Sequence, residues 1–480
     1  MSAPLTARFA GASVAVIGDV MLDHYVYGRV TRLAPEAPTP VLHVHSERHV
    51  LGGAANVAAN IAALGGQALL VGVIGADAAG DIFTRQISAL AGVQADLIID
   101  PARPTILKTR YLGGQYQLVR VDRESAAAIA NKVTEQTLNA ARHAIAAADI
   151  VVLSDYGKGL LSDEVLAALF TAAKAHNKPV IVDPKRARFG DYRGASLITP
   201  NRKELSAAVG LACETDDEAA TAAAEAQALS GAEILLTRSE KGMALYRAGE
   251  APLHLKAEAR EVFDVSGAGD TVVGAYALSL AAGLSAGEAL QIANAAAGVV
   301  VQKLGTATVS PDELAAALAQ GERAARVIVT PRAQALAHRA QWAADGLSVG
   351  FANGCFDLLH PGHIALVAQA AAACDRLIVA LNSDASVARL KGPTRPIQSL
   401  EARAQVIGAL KGVDLVVAFD DDTPLDLISA LKPDVLVKGA DYREDQVVGA
   451  EIVKAHGGRV LLAALTPGQS TSAIVAKSKT

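Results

Sequence analysis

The chain has little cysteine, no excess of basic charge and no long apolar run. Only three cysteines occur in 480 residues, Cys213, Cys355 and Cys374, and none forms a Cys-x-x-Cys pair. That excludes a disulfide framework and fits a reducing cytoplasm. Lys and Arg total 44 against 49 Asp and Glu, a formal net charge of -5. No cationic excess is available to neutralise a nucleic-acid backbone, so a nucleic-acid-coating protein is excluded. Apolar stretches such as Ile150-Val151-Val152-Leu153 are too short to span a bilayer. The first residues show no charged head followed by an apolar stretch and a small-residue cleavage site, so neither a secretory signal nor a membrane partner is expected.

What is present is a chain rich enough in apolar residues, 51%, to fold throughout, and long enough for two or three domains. Short apolar strands recur at Ser13–Asp19, Leu69–Gly75, Ile150–Asp155, Val180–Asp183 and Ile234–Thr237, with helical segments between them. Unbroken apolar strands alternating with helices predict a parallel sheet covered on both faces. Several of these strands end in Asp or Thr, and ligands in open α/β sheets sit beyond such ends. Pro40–His45, Ile106–Tyr111 and Leu118–Asp122 instead show the period-2 pattern of half-exposed strands, with Gly113-Gly114 as a hairpin turn. They read as a small accessory sheet over the substrate, or as an edge hairpin without that role. A second α/β series begins at Val349–Ala352 and continues through Leu377–Asn382, Leu415–Phe419 and Val435–Lys438. The expected organisation is a larger domain over 1–321, a linker and connecting helix over 322–345, and a smaller domain over 346–480.

Two phosphate-handling segments stand out. In the first, Asp264-Val265-Ser266-Gly267-Ala268-Gly269-Asp270-Thr271 precedes a helical run predicted over Thr271–Ala282. Glycines let backbone N–H groups converge on an anion, and a helix N-terminus adds a favourable dipole. Asp270 would then accept the proton of an attacking hydroxyl. Taken alone, the segment also reads as a glycine turn with a helix N-cap. Gly52-Gly53-Ala54-Ala55-Asn56, with Asn60 one turn further on, pairs a glycine turn with a helix, and with Asp19 supplies donors and acceptors suited to sugar hydroxyls.

These two segments resemble the paired signatures of the ribokinase/phosphofructokinase-B family of sugar kinases, over about residues 10 to 320. The resemblance implies a ribokinase-like domain with a small β lid, using Mg²⁺ with ATP. It implies Asp270 as catalytic base and Gly267, Ala268 and Gly269 as the anion hole. Asn201-Arg202-Lys203-Glu204 is similar to the family's Asn-x-x-Glu motif, with no directly ligated metal and Glu204 acting on Mg²⁺ through water. Thr237, Arg238 and Gly242 fall where the family binds nucleotide. Asp19, Gly52, Gly53 and Asn56 fall on sugar contacts. Lys108, Arg110, Asp183 and Lys185 are further candidates for the substrate or its phosphate, the alternative being ordinary solvated charge.

The second segment is Asn353-Gly354-Cys355-Phe356-Asp357-Leu358-Leu359-His360-Pro361-Gly362-His363. His360 and His363 lie one helical step apart and can face one point. Pro361 suits a first helical turn and Gly362 allows close approach of a phosphate. Imidazolium groups beside a helix N-terminus would stabilise charge at an α-phosphate. Two histidines on one helical face also suit a metal, but no third His or Cys has supporting spacing. The segment resembles the cytidylyltransferase-like superfamily over residues 346 to 480, which implies a smaller Rossmann-like nucleotidyltransferase domain. The same resemblance implies nucleotide contacts at Asn353, Gly354, Phe356, Asp357, Gly362, Asn382, Asp384, Lys391, Arg403, Lys438, Asp441, Ser470, Thr471 and Ser472. The last three lack the arginine that many members carry there.

Joined, the two halves are similar to a bacterial family of bifunctional heptose-phosphate kinase/adenylyltransferases. That likeness implies phosphorylation of D-glycero-β-D-manno-heptose 7-phosphate at O1, removal of the 7-phosphate by a separate phosphatase, then adenylyl transfer to give ADP-heptose for lipopolysaccharide. It also implies a cytoplasmic homodimer whose partners are sugar phosphates and ATP. A fusion acting on another sugar or polyol phosphate with CTP, and a non-catalytic sugar-phosphate sensor, are the rival readings.

Overall fold

The computed structural model describes residues 8–114, 116–127, 129–257, 263–303, 305–325, 329–440 and 442–464. The chain divides into two compact units, residues 1–319 and 320–480.

The strand Ser13–Gly18 shows why the first unit folds as it does. Its side chains alternate between two cores: Val14 and Val16 pack on one face, Ala15 and Ile17 on the other. A strand apolar on both faces is stable only between two helical layers. The first face is covered by the helices Ala54–Ala63, Ala268–Ala281 and Ala286–Val300. The opposite face is covered by Asn131–Ala147, Asp163–Ala175 and Asp216–Ser230. Each fully buried Val, Leu or Ile contributes about 1.5–3 kcal/mol relative to exposure. The nine-stranded sheet runs, edge to edge, Leu253–Leu255, Met243–Tyr246, Glu233–Thr237, Leu197–Ile198, Val180–Asp183, Ile150–Ser154, Ser13–Gly18, Gln67–Ile74 and Val93–Ile99. All neighbours are parallel except the pairings of Met243–Tyr246, which are antiparallel. The parallel strands therefore discharge Asp19, Asp155, Asp183 and Thr237 at one edge.

A separate four-stranded sheet has the order Pro40–Gly53, Val20–Leu33, Ile106–Gly113, Tyr116–Arg123. The three accessory strands expected from the sequence are present, with the Gly113–Gly114 turn between the last two and Gly114 at φ 65°. The fourth strand, Val20–Leu33, was not expected. The glycine–helix junction also differs from expectation. The helix begins at Ala268, not Thr271, because Gly267 adopts φ 78° and caps it from a left-handed conformation open to glycine. Asp270 thus lies inside the first turn rather than ahead of it.

The second unit is a five-stranded, wholly parallel sheet ordered Leu415–Phe419, Arg376–Asn382, Val349–Gly354, Val435–Gly439, Arg459–Ala463. Alternation again feeds two cores, Phe351 and Ile378 on one face, Ala352, Leu377 and Val379 on the other. The helix Arg332–Ala344 buries Ala335 in the first of these, with Leu336 and Trp342 beside it. Among the described residues no helix is long and apolar enough to cross a membrane.

Candidate functional site

In the first unit the site is built on the N-terminus of the helix Ala268–Ala281. Asp270 is buried there and both its oxygens are engaged. Asn56 donates to Oδ2 at 2.8 Å from the helix Ala54–Ala63, and the Tyr156 hydroxyl donates to Oδ1 at 2.7 Å. Asn56 is itself fixed: Asn60 donates to its carbonyl at 2.9 Å and to its Oδ1 at 3.2 Å, and Thr271 Oγ1 donates to Asn60 Oδ1 at 3.2 Å. Close packing leaves no room for a side chain at 267, where a Cβ would lie 2.6 Å from the Asn56 amide nitrogen. Burial pushes the Asp270 carboxyl up to about 6; the bonds from Asn56 and Tyr156 oppose that rise, and the charge of Asp23 adds to it.

Beside Asp270 opens a cavity of about 150 Å³, lined by Asp155, Tyr156, Asp183, Lys185, Asn201, Glu204, Thr237 and Gly269 among others. Five expected residues from distant segments, Asp183, Lys185, Asn201, Glu204 and Thr237, thus meet next to Gly269. The Asp183 carboxyl is pushed well up by burial and then by the charges of Asp270 and Glu204. Glu204 has a local duty as well. Its carboxylate accepts from the Asn201 amide at 3.1 Å, while Asn201 Oδ1 accepts from the Glu204 amide at 3.0 Å, a reciprocal cap on the helix Arg202–Val209. Lys185 Nζ lies 3.5 Å from the other Glu204 oxygen.

Of the expected sugar-side residues, Asp19, Gly52, Gly53, Asn56, Lys108 and Arg110 lie outside that lining. Asp19 Oδ2 accepts two backbone amides, Tyr156 and Lys158, each at 3.0 Å, and burial raises its carboxyl. A Cβ on Gly53, at φ 59°, would lie 2.4 Å from the Asp19 carbonyl oxygen, and one on Gly52 2.6 Å from Asp23 Oδ2. Arg110 pairs with Asp23 at 2.5 Å and lies over the Tyr25 ring. Lys108 and Lys158 meet on one carboxylate, Glu124, at 3.1 and 2.6 Å. Six residues expected on the nucleotide side do not line the cavity: Arg202, Lys203, Arg238, Gly242, Gly267 and Ala268. Arg202 pairs with Glu214 and Glu240, and Arg238 with Asp216. Lys203 is exposed, and Gly242 occupies a turn at φ 83°. Sequence reasoning missed Tyr156, Asp23, Glu124 and Lys158. The run Leu153–Gly159, a strand end followed by Tyr and Lys, was the available signal for two of them.

In the second unit His360 caps the helix Pro361–Ala372 and His363 sits in its first turn. Their rings stack at 3.8 Å with an interplanar angle of 25°, and Phe356 closes against His363 at 5.1 Å. Both Nδ1 atoms are enclosed and have no partner among the described residues. Burial, then the charges of His360 and Lys391, pushes His363 down to about 4, and burial lowers His360. The enclosure that aligns the two rings therefore also disfavours the charge of the expected imidazolium pair. Lys438 Nζ donates to Asn353 Oδ1 at 2.9 Å and lies 5.5 Å from the Tyr442 ring centre.

Asp357 is fully enclosed; it accepts from the amides of Ile397 at 2.7 Å and Gln398 at 3.1 Å and pairs with Arg395. Burial works to raise its carboxyl, but those donors hold it below the usual range. Arg403, also enclosed, donates to the Cys355 carbonyl at 2.7 Å, Asp384 at 2.6 Å and the Gln398 carbonyl at 3.1 Å. Asp357 and Arg403 thus tie the histidine loop to the segment 395–403. Asn382 donates to Ser386 at 3.0 Å at the end of its strand. Gly354 packs against the Phe356 ring, Gly362 is half-buried in the histidine turn, and Lys391 is exposed at the end of the helix Asp384–Lys391. Asp441, Ser470, Thr471 and Ser472 lie outside the described residues. No group of three or more His, Cys, Asp or Glu side chains suited to a metal occurs among the described residues.

Comparison with known proteins agrees with this division. Residues 12–313 match the pfkB family carbohydrate kinase model, and residues 351–476 match the cytidylyltransferase-like model. The bifunctional protein HldE of Azorhizobium caulinodans is 55% identical over 475 residues, covering 98% of each chain. That of Caulobacter vibrioides is 52% identical over 480 residues, covering 99% of this chain and 98% of the relative. Among solved structures, Arabidopsis thaliana ribokinase complexed with ribose and ATP is 25% identical with a TM-score of 0.52, over 64% of this chain and 99% of that one. Escherichia coli phosphofructokinase-2 in complex with potassium, 24% identical with a TM-score of 0.54 over 64% of this chain and 98% of that one, shares the fold. With identity above half along nearly the whole of both chains, and a family model matched in each unit, the chain belongs to the HldE family, bifunctional enzymes that join a sugar kinase to a nucleotidyltransferase.

Proposed function

We propose that the chain acts twice on a heptose phosphate. The first unit phosphorylates D-glycero-β-D-manno-heptose 7-phosphate at O1 with ATP, and the second transfers an adenylyl group from ATP to heptose 1-phosphate, releasing pyrophosphate and ADP-heptose. The observation that carries the reading is Asp270, enclosed between Asn56 and Tyr156 at a glycine-capped helix N-terminus beside the cavity.

In the kinase step ionised Asp270 takes the proton of O1. The oxygen attacks the γ-phosphorus, the bond to the β-phosphate oxygen breaks, and ADP leaves. Backbone donors at Gly267, Ala268 and Gly269 face the charge that builds on the transferred group. Asn201 and Thr237 form the nucleotide side of the cavity, with Arg202, Lys203, Arg238 and Gly242 following them in the chain outside its lining. Asp19, Gly52, Gly53 and Asn56 shape the sugar side. Lys108, Lys158 and Arg110 receive the distal phosphate, which replaces Glu124 between the two lysines. The carboxylates of the cavity, and the like charges that raise Asp183, fit Mg²⁺ held by Glu204 through water. When bound with ATP, Mg²⁺ neutralises phosphate charge.

In the transferase step an oxygen of the sugar 1-phosphate attacks the α-phosphorus and the α–β bridge breaks. His360 and His363 stand at the α-phosphate, and Lys391 and Lys438 offset negative charge. Asn353, Gly354 and Gly362 allow its close approach, while Asp357, Arg403, Asp384 and Asn382 hold the loops in place. We assign residues 1–321 and 346–480 to the two domains, with 322–345 connecting them, and place the protein in the cytoplasm. The single-layer sheet exposes Leu33, Val44, Tyr116, Val119 and Val121, which supports a homodimer through these strands. A light-scattering mass of one chain removes that assignment.

Product analysis tests the whole reading. Heptose 7-phosphate and ATP should yield the 1,7-bisphosphate alone. Added phosphatase should carry it on to ADP-heptose, with CTP failing to replace ATP in the last step. Absence of the bisphosphate sinks the kinase assignment, and preference for CTP sinks the adenylyl one.

A further inference from the structure

The loop that follows the strand Ile150–Ser154 is anchored by two buried carboxylates, Asp19 and Asp155. Asp19 holds it by two backbone amides at 3.0 Å, one on either side of Gly157, and Gly157 N donates to Asp155 Oδ1 at 2.8 Å. Tyr192 donates to the other Asp155 oxygen at 2.8 Å. This scaffold fixes the backbone of Tyr156, and its enclosed hydroxyl reaches 2.7 Å from Asp270 Oδ1. The opposite oxygen is held by Asn56 at 2.8 Å. The carboxylate plane is therefore set from two sides, by groups 114 and 214 residues away in sequence.

We propose that Tyr156 is a positioning residue for the phosphoryl transfer, its hydroxyl and the Asn56 amide clamping the Asp270 carboxylate in the plane from which it takes the substrate proton. This rests on Asp270 being the base. Such a clamp has two physical effects. It removes rotational freedom about the Asp270 side chain before substrate arrives. It also favours the ionised carboxylate, because both donors bond better to an anion than to an acid. The second effect matters in this setting. Asp23 faces Asp270 from the strand Val20–Leu33, and Asp183 does so from the end of Val180–Asp183. Glu204 and Lys185 stand further along the cavity, and Arg110 partly offsets Asp23. The buried face of the neighbouring helix Ala286–Val300 carries no titratable group. Within this acidic surround Tyr156 and Asn56 are the two direct donors to the base. The phenol stays protonated, since burial and then the Asp270 charge push it well above its ordinary range.

The test is the pH profile of kinase kcat/KM in the full-length chain, for Tyr156→Phe and for the protein with 3-fluorotyrosine at 156. Removing the donor should move the acid limb up by about one pH unit, losing roughly fivefold activity at pH 6 and little at pH 8. The more acidic fluorinated phenol donates more strongly and should move the limb down. A hydroxyl that only fills space predicts no opposed shifts. Adenylyl transfer should be unchanged in both. Limbs coincident with wild type in both proteins, or shifted in the same direction, overturn the inference. Asp270→Asn, assayed in parallel, separates the two failures: if it remains an active kinase, the base assignment itself is wrong.

Discussion

At the scale of single residues, the protein places one carboxylate, the proposed base, where its charge is costly. Asp270 shifts from an ordinary 3.8 to about 6. A base must be ionised, so kinase kcat/KM should fall as pH drops through about 6, with the transferase free of that limb. Asp270→Asn should lower kinase turnover by roughly 10²–10⁴-fold and leave adenylyl transfer near normal. His363→Ala should do the reverse, measured on the same preparation. Linkage adds a stability prediction. A carboxyl raised on folding favours the folded state below its unfolded pKa and loses that contribution as pH rises through 6. Asp270→Asn should therefore gain stability of the order of 2–3 kcal/mol at pH 8, and much less at pH 4, by chemical denaturation. A variant equally stable with wild type at both pH values would contradict a buried charge at 270. Asp270 and its glycines were legible because they are contiguous in the chain. Tyr156 was not, because its contact is made only after folding has brought the end of the strand Ile150–Ser154 to the first turn of the remote helix Ala268–Ala281.

At the scale of elements, the Asn201–Glu204 motif performs two tasks. It closes the first turn of the helix Arg202–Val209 and presents a carboxylate to the cavity. Glu204→Ala should cost about 1 kcal/mol by loss of the cap and also depress the kinase. Glu204→Gln keeps the cap, so it should restore the melting temperature but not the activity. The spacing was read from family likeness; read as a capping signal it would have located the helix start as well. Most of the parallel strands were legible because they are apolar runs, several closed by Asp or Thr; Val93–Ile99 was not, because Gln94 and Asp96 interrupt it, nor was the two-residue Leu197–Ile198. Val20–Leu33 was not, because it leaves the core and runs into solvent: Val20–Asp23 are buried and Arg29–Leu33 exposed, so no single period describes it. The edge strand Arg459–Ala463 mixes exposed and buried positions and gave no clear pattern for the same reason.

At the scale of the molecule, the two units have separate sheets and separate cores. Ligands that bind only the native state stabilise the unit that holds them, by about 2.7 kcal/mol at a hundredfold excess over Kd. Scanning calorimetry should accordingly resolve two transitions, and heptose 7-phosphate should raise one without moving the other. A single transition that shifts as a whole would mean the units unfold together. Covalent linkage of two independent sites has a further outcome. Every ribosome that finishes this chain releases one copy of each enzyme, so transcription can raise or lower both but never alter their ratio, and the slower of the two sites sets how far any rise in expression reaches the final product.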